Sequence, residues 1–200
     1  MYSVIKTKNF SAPELSEKEI LRYAGCASSD ESIDSLLRSC LAELEYKLLY
    51  KVCYRKLPLH IGGSVCDFEL FSVNSRNLAL NLSGCNHVII FAATLGFELD
   101  RFISKYSRLS PSRALMFQAI GAERIEAVCD CFCDEIKKEF VCSLKPRFSP
   151  GYGDLSLETQ KQLFSILDCE RQLGISLNSS LLMSPSKSVT AFVGLYDESI

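Results

Sequence analysis

Ser110 and Pro111 open the longest helical pattern in the chain, in which Phe117, Ile120, Val128, Phe132, Ile136 and Phe140 can line one side. Serine suits an N-cap, and proline suits the first helical position, where its missing N–H would have had no partner. The pattern lasts for about eight turns, a rod of roughly 45 Å. Only Gly121 interrupts it. A rod with so long an apolar side has to bury that side along its length, so the remaining elements of a 200-residue chain must pack around it. The spacing predicts a central helix from near Pro111 to about Phe140.

The surrounding segments read as a mixture of strands and helices. Tyr2 to Lys6 reads as a short strand. Ser16, with Glu19 three residues on, caps a first helix that carries Ile20, Leu21 and Tyr23 and ends at Gly25. Ser28 and Glu31 repeat the capping pattern for a second helix, whose Ile33, Leu36, Leu37, Cys40, Leu41 and Leu44 share a face. From Tyr50 to Val73 the rhythm is β-like, with runs at Tyr50 to Tyr54 and Phe68 to Val73 separated by Pro58 and Gly62-Gly63, the pattern of an antiparallel hairpin or meander. Ser75 to Leu82 reads as a short helix, His87 to Ala93 as a buried strand, and Leu99, Phe102, Ile103 and Tyr106 as the stripe of a further helix. Leu157 to Leu167 is helical in pattern, Ile175 to Leu177 and Leu181 to Met183 are strand-like, and Val189, Ala191, Val193 and Leu195 alternate along a final strand. Because no regular βαβ alternation appears, the reading is one α+β domain over residues 1–200, with a mostly antiparallel sheet packed by helices.

Composition removes several functions. With 48% hydrophobic and 23% charged residues the chain is an ordinary folded one, and a formal net charge of −2 without a basic run lacks the footprint of a nucleic-acid binder. No apolar run is long enough to span a bilayer and the N-terminus lacks a signal-peptide core, so no membrane is expected and the cytoplasm is the expected compartment. In that reducing setting the ten cysteines are expected as free thiols, mostly small buried hydrophobes. His60 and His87 stand too far from one another and from the cysteines to suggest a zinc ligand set, and no metal site is expected.

The stretch from Arg147 to Leu157, Arg-Phe-Ser-Pro-Gly-Tyr-Gly-Asp-Leu-Ser-Leu, has the chemistry of a built loop. Pro150 fixes its own φ, Gly151 and Gly153 permit positive φ and close approach of a ligand, and Tyr152 is thereby presented on a tight turn. Ser156 can cap the next helix, with Glu158 in its first turn, so that free N–H groups face back towards the loop as an anion site. Arg147 adds a planar fork suited to a carboxylate. The plainer reading is a Pro-Gly connector whose arginine pairs with a neighbouring acid.

Arg147-x-x-x-Gly151-Tyr152 followed by Gly153-Asp154-Leu155-Ser156 resembles the S-adenosylmethionine-binding signature of the activation domain of vitamin B12-dependent methionine synthase, in the form of its short, stand-alone branch. Three other stretches fit in order: Ile20-Leu21-Arg22-Tyr23-Ala24-Gly25, Ala92-Ala93-Thr94-Leu95-Gly96 with Asp100 and Arg101, and Leu182 to Thr190. The resemblance implies a domain that binds S-adenosylmethionine and supports reductive methylation of cob(II)alamin. The cobalamin would be carried by a partner, either a corrinoid-binding methyltransferase or a methionine synthase chain, served by a reductant protein. It implies that Arg147 grips the methionyl carboxylate, that Tyr152 orders the loop, and that the backbone around Gly151, Gly153 and Asp154 reads the rest. An acid on the long helix, Glu126 or Glu123, would face the sulfonium cation. No residue needs to act as nucleophile or base, so no catalytic residue is assigned and the domain would not act alone.

The chain departs from the larger family members in three places. They follow Gly-Tyr with a Pro-Ala-Cys-Pro type of turn, often carry an aromatic where Ser184 stands, and continue to tyrosines beyond the position of Ile200. No Asp-x-His-x-x-Gly corrinoid signature is present, so the corrinoid is expected on another chain. One alternative is an interaction module that docks on a corrinoid protein without binding S-adenosylmethionine productively. An ordinary small-molecule methyltransferase is disfavoured by the lack of a Gly-rich strand-turn-helix signature.

Overall fold

The computed structural model describes residues 4–26, 28 and 30–196. The chain begins with β1 (Lys6–Asn9), α1 (Glu17–Tyr23), α2 (Glu31–Leu44) and β2 (Lys51–Pro58), then the short strands β3 (His60–Gly62), β4 (Val65–Asp67) and β5 (Ser72–Asn74). It continues with α3 (Arg76–Asn81), β6 (His87–Thr94), α4 (Glu98–Leu109), α5 (Pro111–Phe140) and β7 (Ser143–Leu144). The last elements are α6 (Thr159–Leu167), α7 (Cys169–Leu173), β8 (Ser176–Leu177), β9 (Met183–Ser184) and β10 (Ser188–Tyr196). Five strands form the main antiparallel sheet in the order β1-β2-β6-β10-β7. Its centre is in long register, from Lys51↔Thr94 to Pro58↔His87 on one side of β6 and from Ser188↔Thr94 to Leu195↔His87 on the other.

Alternation along these strands gives the sheet two buried faces. Ile89, Phe91 and Ala93 of β6, Val52 and Tyr54 of β2, and Ala191 and Val193 of β10 face α5, which contributes Phe117, Ile120, Val128, Phe132 and Ile136. Phe132 packs edge-on to Tyr54 at 5.1 Å and against Phe91 at 4.8 Å. On the other face Val88, Ile90, Ala92, Cys53, Leu57 and Phe192 are covered by Phe68, Leu78, Leu163 and Leu167. The α+β reading, the antiparallel sheet and the bounds of the long helix all match the sequence pattern. Among the described residues no helix is long and apolar enough to cross a membrane.

Several local expectations change. The first strand lies at Lys6–Asn9; the expected strand at Tyr2 to Lys6 falls partly outside the described residues. α2 is capped by Asp30, whose carboxylate accepts the Ile33 N–H at 2.9 Å, in place of Ser28. Pro58 closes β2 instead of interrupting the sheet, and Phe68 to Val73 is mostly a turn, with Glu69 at φ 64. The glycine inside α5 has a packing reason: a Cβ at Gly121 would collide with Leu99 of α4 and with the Lys187 side chain. All ten cysteines carry free thiols, and Cys40, Cys53, Cys66, Cys85, Cys129 and Cys169 are buried. Burial pushes the Cys66 thiol up to about 11.

Two charged groups fasten the N-terminal segment to α5. Glu123 and Arg124 are a buried ion pair. Arg124 also donates to the Pro13 and Glu14 carbonyls at 2.7 Å each, and Glu123 accepts the Ser16 N–H at 3.0 Å. Glu123 is thus no part of a solvated face; buried, it holds a chain entry point. At the other end of α5, Glu139 receives Lys6 at 2.7 Å, Lys8 at 3.1 Å and the Tyr54 hydroxyl at 3.0 Å.

Removing one partner of a buried pair strands the other charge, at about 3 to 5 kcal/mol. Glu123→Ala should therefore lower the melting temperature by roughly 6 to 20 °C, given about 2 to 4 °C per kcal/mol in a chain of this size. The Lys6 ammonium first, with Lys8 and Tyr54 behind it, holds the Glu139 carboxyl down to about 2. Folding therefore favours the ionised form, and the stabilisation is complete above the ordinary carboxyl range and is lost as pH falls through about 2. Urea melts of wild type and Glu139→Gln should differ at pH 6 and converge by about pH 2.

Candidate functional site

After β7 the chain stays extended beside β10. Lys145 N–H donates to the Gly194 carbonyl at 2.9 Å, and Phe148 exchanges both backbone bonds with Phe192 at 3.0 and 2.9 Å. Strand alternation then sends Phe148 into the core on the α3 face and Arg147 to the α5 face. There Arg147 Nη2 donates to Glu126 Oε2 at 2.7 Å, and Nη1 donates to Asp130 and lies 4.0 Å from Cys133 Sγ. Burial alone would weaken this guanidinium's charge, but Asp130 and its neighbours hold its pKa above the ordinary arginine range.

Glu126 and Asp130 stand one turn apart on α5, so both carboxylates project from the same face and receive the two arms of the fork. They also stand between two clefts. One, of about 560 Å³, is lined by Cys129, Cys133, Ser149 and Arg147 with the two acids. The second, of about 470 Å³, lies against Pro13, Ser16, Glu19 and Tyr23 and shares the same two acids.

Beyond Arg147 the loop is shaped by its own hydrogen bonds. Gly151 N–H donates to the Leu155 carbonyl at 2.8 Å, Tyr152 to Ser149 at 3.2 Å, and Leu155 to Tyr152 at 3.1 Å. Tyr152 is 70% exposed, with its ring edge-on to Phe148 at 5.4 Å. Gly151 and Gly153 adopt φ of 88° and 57°, and a Cβ at Gly153 would collide with Asn77. The close approach that Gly153 permits is thus to α3.

Asp154 turns to the same helix. Its carboxylate accepts the Ser75 hydroxyl, the Arg76 N–H at 2.8 Å and the Asn77 N–H at 3.2 Å. The Ser75 bond first, joined by the Asn77 and Arg76 backbone donors, holds its carboxyl below the usual range against the pull of desolvation. An internal anion therefore caps α3.

The expected anion site at the next helix is absent. α6 starts at Thr159, and Ser156 closes a tight turn instead, accepting the Glu158 N–H on its hydroxyl at 3.2 Å and the Thr159 N–H on its carbonyl at 3.1 Å. Gln160 and Lys161 donate to Leu157 and Glu158 at 3.0 and 3.1 Å, so the first-turn donors are consumed locally.

Of the sequence-predicted site residues, the structure joins Arg147 to Glu126 directly, places Gly151 and Tyr152 on the adjoining turn, and directs Gly153 and Asp154 towards α3. Asp130 was missed by the sequence reading, although its spacing of four from Glu126 was a visible signal. The thiols beside Arg147 are poor nucleophiles, because burial raises the pKa of both Cys129 and Cys133 against the pull of the guanidinium.

The site is thus a cation held between two carboxylates at the mouth of a cleft, on an α+β frame. The chain belongs to the family described as the activation domain of vitamin B12 dependent methionine synthase, whose sequence model matches residues 78–199, from α3 past β10. Its fold is similar to that in the crystal structure of the MetH reactivation domain bound to AdoHcy, with a TM-score of 0.72 at 14% identity, over 98% of this chain and 80% of that one. No curated protein matches the chain significantly. The resemblance to this family is borne out, and three of the four stretches that carried it, from Ala92 onward, lie within the matched residues.

Gly153→Ala places a side chain in the left-handed region against Asn77 and should destabilise by about 1 to 3 kcal/mol, read from the urea midpoint. Gly62→Ala, where a Cβ would meet nothing within 4 Å, is the control expected to change little.

Proposed function

We propose that this chain, acting as one unit over residues 1–200, binds S-adenosylmethionine and returns an oxidised corrinoid to its methylated form. Residues fitting the ligand are present. The methionyl carboxylate would take an arm of Arg147, and Glu126 with Asp130 would face the ammonium and sulfonium cations. When bound, S-adenosylmethionine supplies the methyl group and cobalamin on a partner chain accepts it. The protein holds and orients, and its contribution is position. A reductant protein and a corrinoid-carrying methyltransferase or methionine synthase chain complete the reaction, in the cytoplasm.

The observation that carries the reading is the Arg147 fork. A ligand carboxylate must displace Glu126 or Asp130 from Arg147, exchanging one charge-assisted bond for another. A simple carboxylate would leave the displaced acid unpaired next to its own charge. A ligand with cations of its own gives that acid a new partner, so the exchange selects a zwitterion with additional positive charge. The same observation supports the second reading, an interaction module that docks on a corrinoid protein, since Arg147 is already satisfied within the chain.

Calorimetry separates them. Loss of the fork removes charge-assisted hydrogen bonds worth about 1.5 to 3 kcal/mol each, so Arg147→Ala should weaken S-adenosylmethionine binding at least about tenfold, with Arg147→Lys intermediate. With a reductant and a methyltransferase trapped as cob(II)alamin, wild type should speed the absorbance change to the methylated cofactor and Arg147→Ala should not. Binding to the corrinoid protein without S-adenosylmethionine binding would favour the docking module.

A further inference from the structure

At the far end of the sheet from Thr94, the C-terminus of α5 meets the start of β6 and the ends of β2 and β10 around a cleft of about 550 Å³. Lys56, His87, Lys145, Ser83 and Asn86 supply its polar lining, and among the described residues no carboxylate lines it. Ion pairs with acids hold Lys6, Lys8, Lys105, Arg113 and Arg147. The two lysines of the cleft instead lie over aromatic rings, Lys56 Nζ 4.6 Å from the centre of Phe140 and Lys145 Nζ 4.6 Å from the centre of Tyr196. Both side chains are half-buried. A ring face steadies an ammonium without neutralising it, because the attraction is to a quadrupole and leaves N–H donors for another group.

We propose that this cleft is a binding site for a small polyanion, with Lys56 and Lys145 as paired cations and Ser83 and Asn86 as neutral donors. Like charges gathered in a recess, with low-dielectric walls of Phe140, Leu195 and Tyr196, focus a positive potential into it. The volume lies within the range of small-molecule sites. His87 reports the same field: burial first, and the Lys56 charge second, lower its pKa below the ordinary imidazole value. A bound anion would reverse the second effect. The cleft is concave, which suits a compact ligand carrying two or more negative charges, of the phosphate or the carboxylate class.

The test titrates the full chain with inorganic pyrophosphate in one arm and citrate in the other, reading heat and the His87 ring resonances. Expected is saturable binding in at least one arm, an upward shift of the His87 pKa, weakening with added salt, and at least a tenfold loss of affinity in Lys56→Gln/Lys145→Gln. Whichever arm binds names the class. Lys145 also lines the cleft beside Arg147, whereas Lys56 does not; Lys56→Gln alone should therefore weaken binding and Arg147→Ala should leave it within about twofold, which separates the cleft from the proposed S-adenosylmethionine site. A circular-dichroism melt confirms that the double variant is folded. No saturable binding in either arm, or binding indifferent to both lysines, overturns the proposal.

Discussion

The packing of Phe132 between Tyr54 and Phe91 is the contact on which the rest of the geometry depends. It seats α5 on the middle of the sheet, and every charged device on that helix inherits its position from this seat. The Glu123–Arg124 pair fastens the N-terminal segment, the Glu126–Asp130 face meets Arg147, and Glu135 with Glu139 meets the lysines of β1. Because the helix is stiff, these stations are held in fixed spacing along one rod. Its close passage over α4 at Gly121 adds a second point of registration.

Much of the architecture was legible because it rests on repeating signals. The apolar period of α5, the serine cap of α1 and the alternation of β10 each name an element without reference to its neighbours. What could not be read depends on pairing at long range. Asp30 and Ser28 are both competent caps, and only the fold decides between them. β2 extends to Pro58 because β6 offers a partner over its whole length.

The candidate site divides in the same way. Arg147 and Glu126 were legible as residue types, yet their contact follows from the edge position beside β10, which no local pattern encodes. Asp154 was read correctly as part of a built loop, but its side chain serves α3, some eighty positions earlier in the sequence. Ser156 looked like a helix cap and is a turn closer, since Leu157 and Glu158 tighten into a short-range turn before α6 begins. The loop is thus built from both sides of the sheet, with Arg147 answering to α5 and Asp154 to α3.

The distribution of thiols has a practical meaning. Six of the ten cysteines are sealed in the two cores, and Cys26, Cys131, Cys133 and Cys142 are partly accessible. An alkylating reagent near neutral pH would meet a molecule with two populations of sulfur, one open to it and one shielded until the sheet parts from its helices. Because the sealed cysteines lie on both faces, Cys40 and Cys129 on the α5 side and Cys53, Cys66, Cys85 and Cys169 on the other, the order in which they become reactive would show which layer opens first. The chain carries its own set of footprinting labels, distributed between the two halves of its interior.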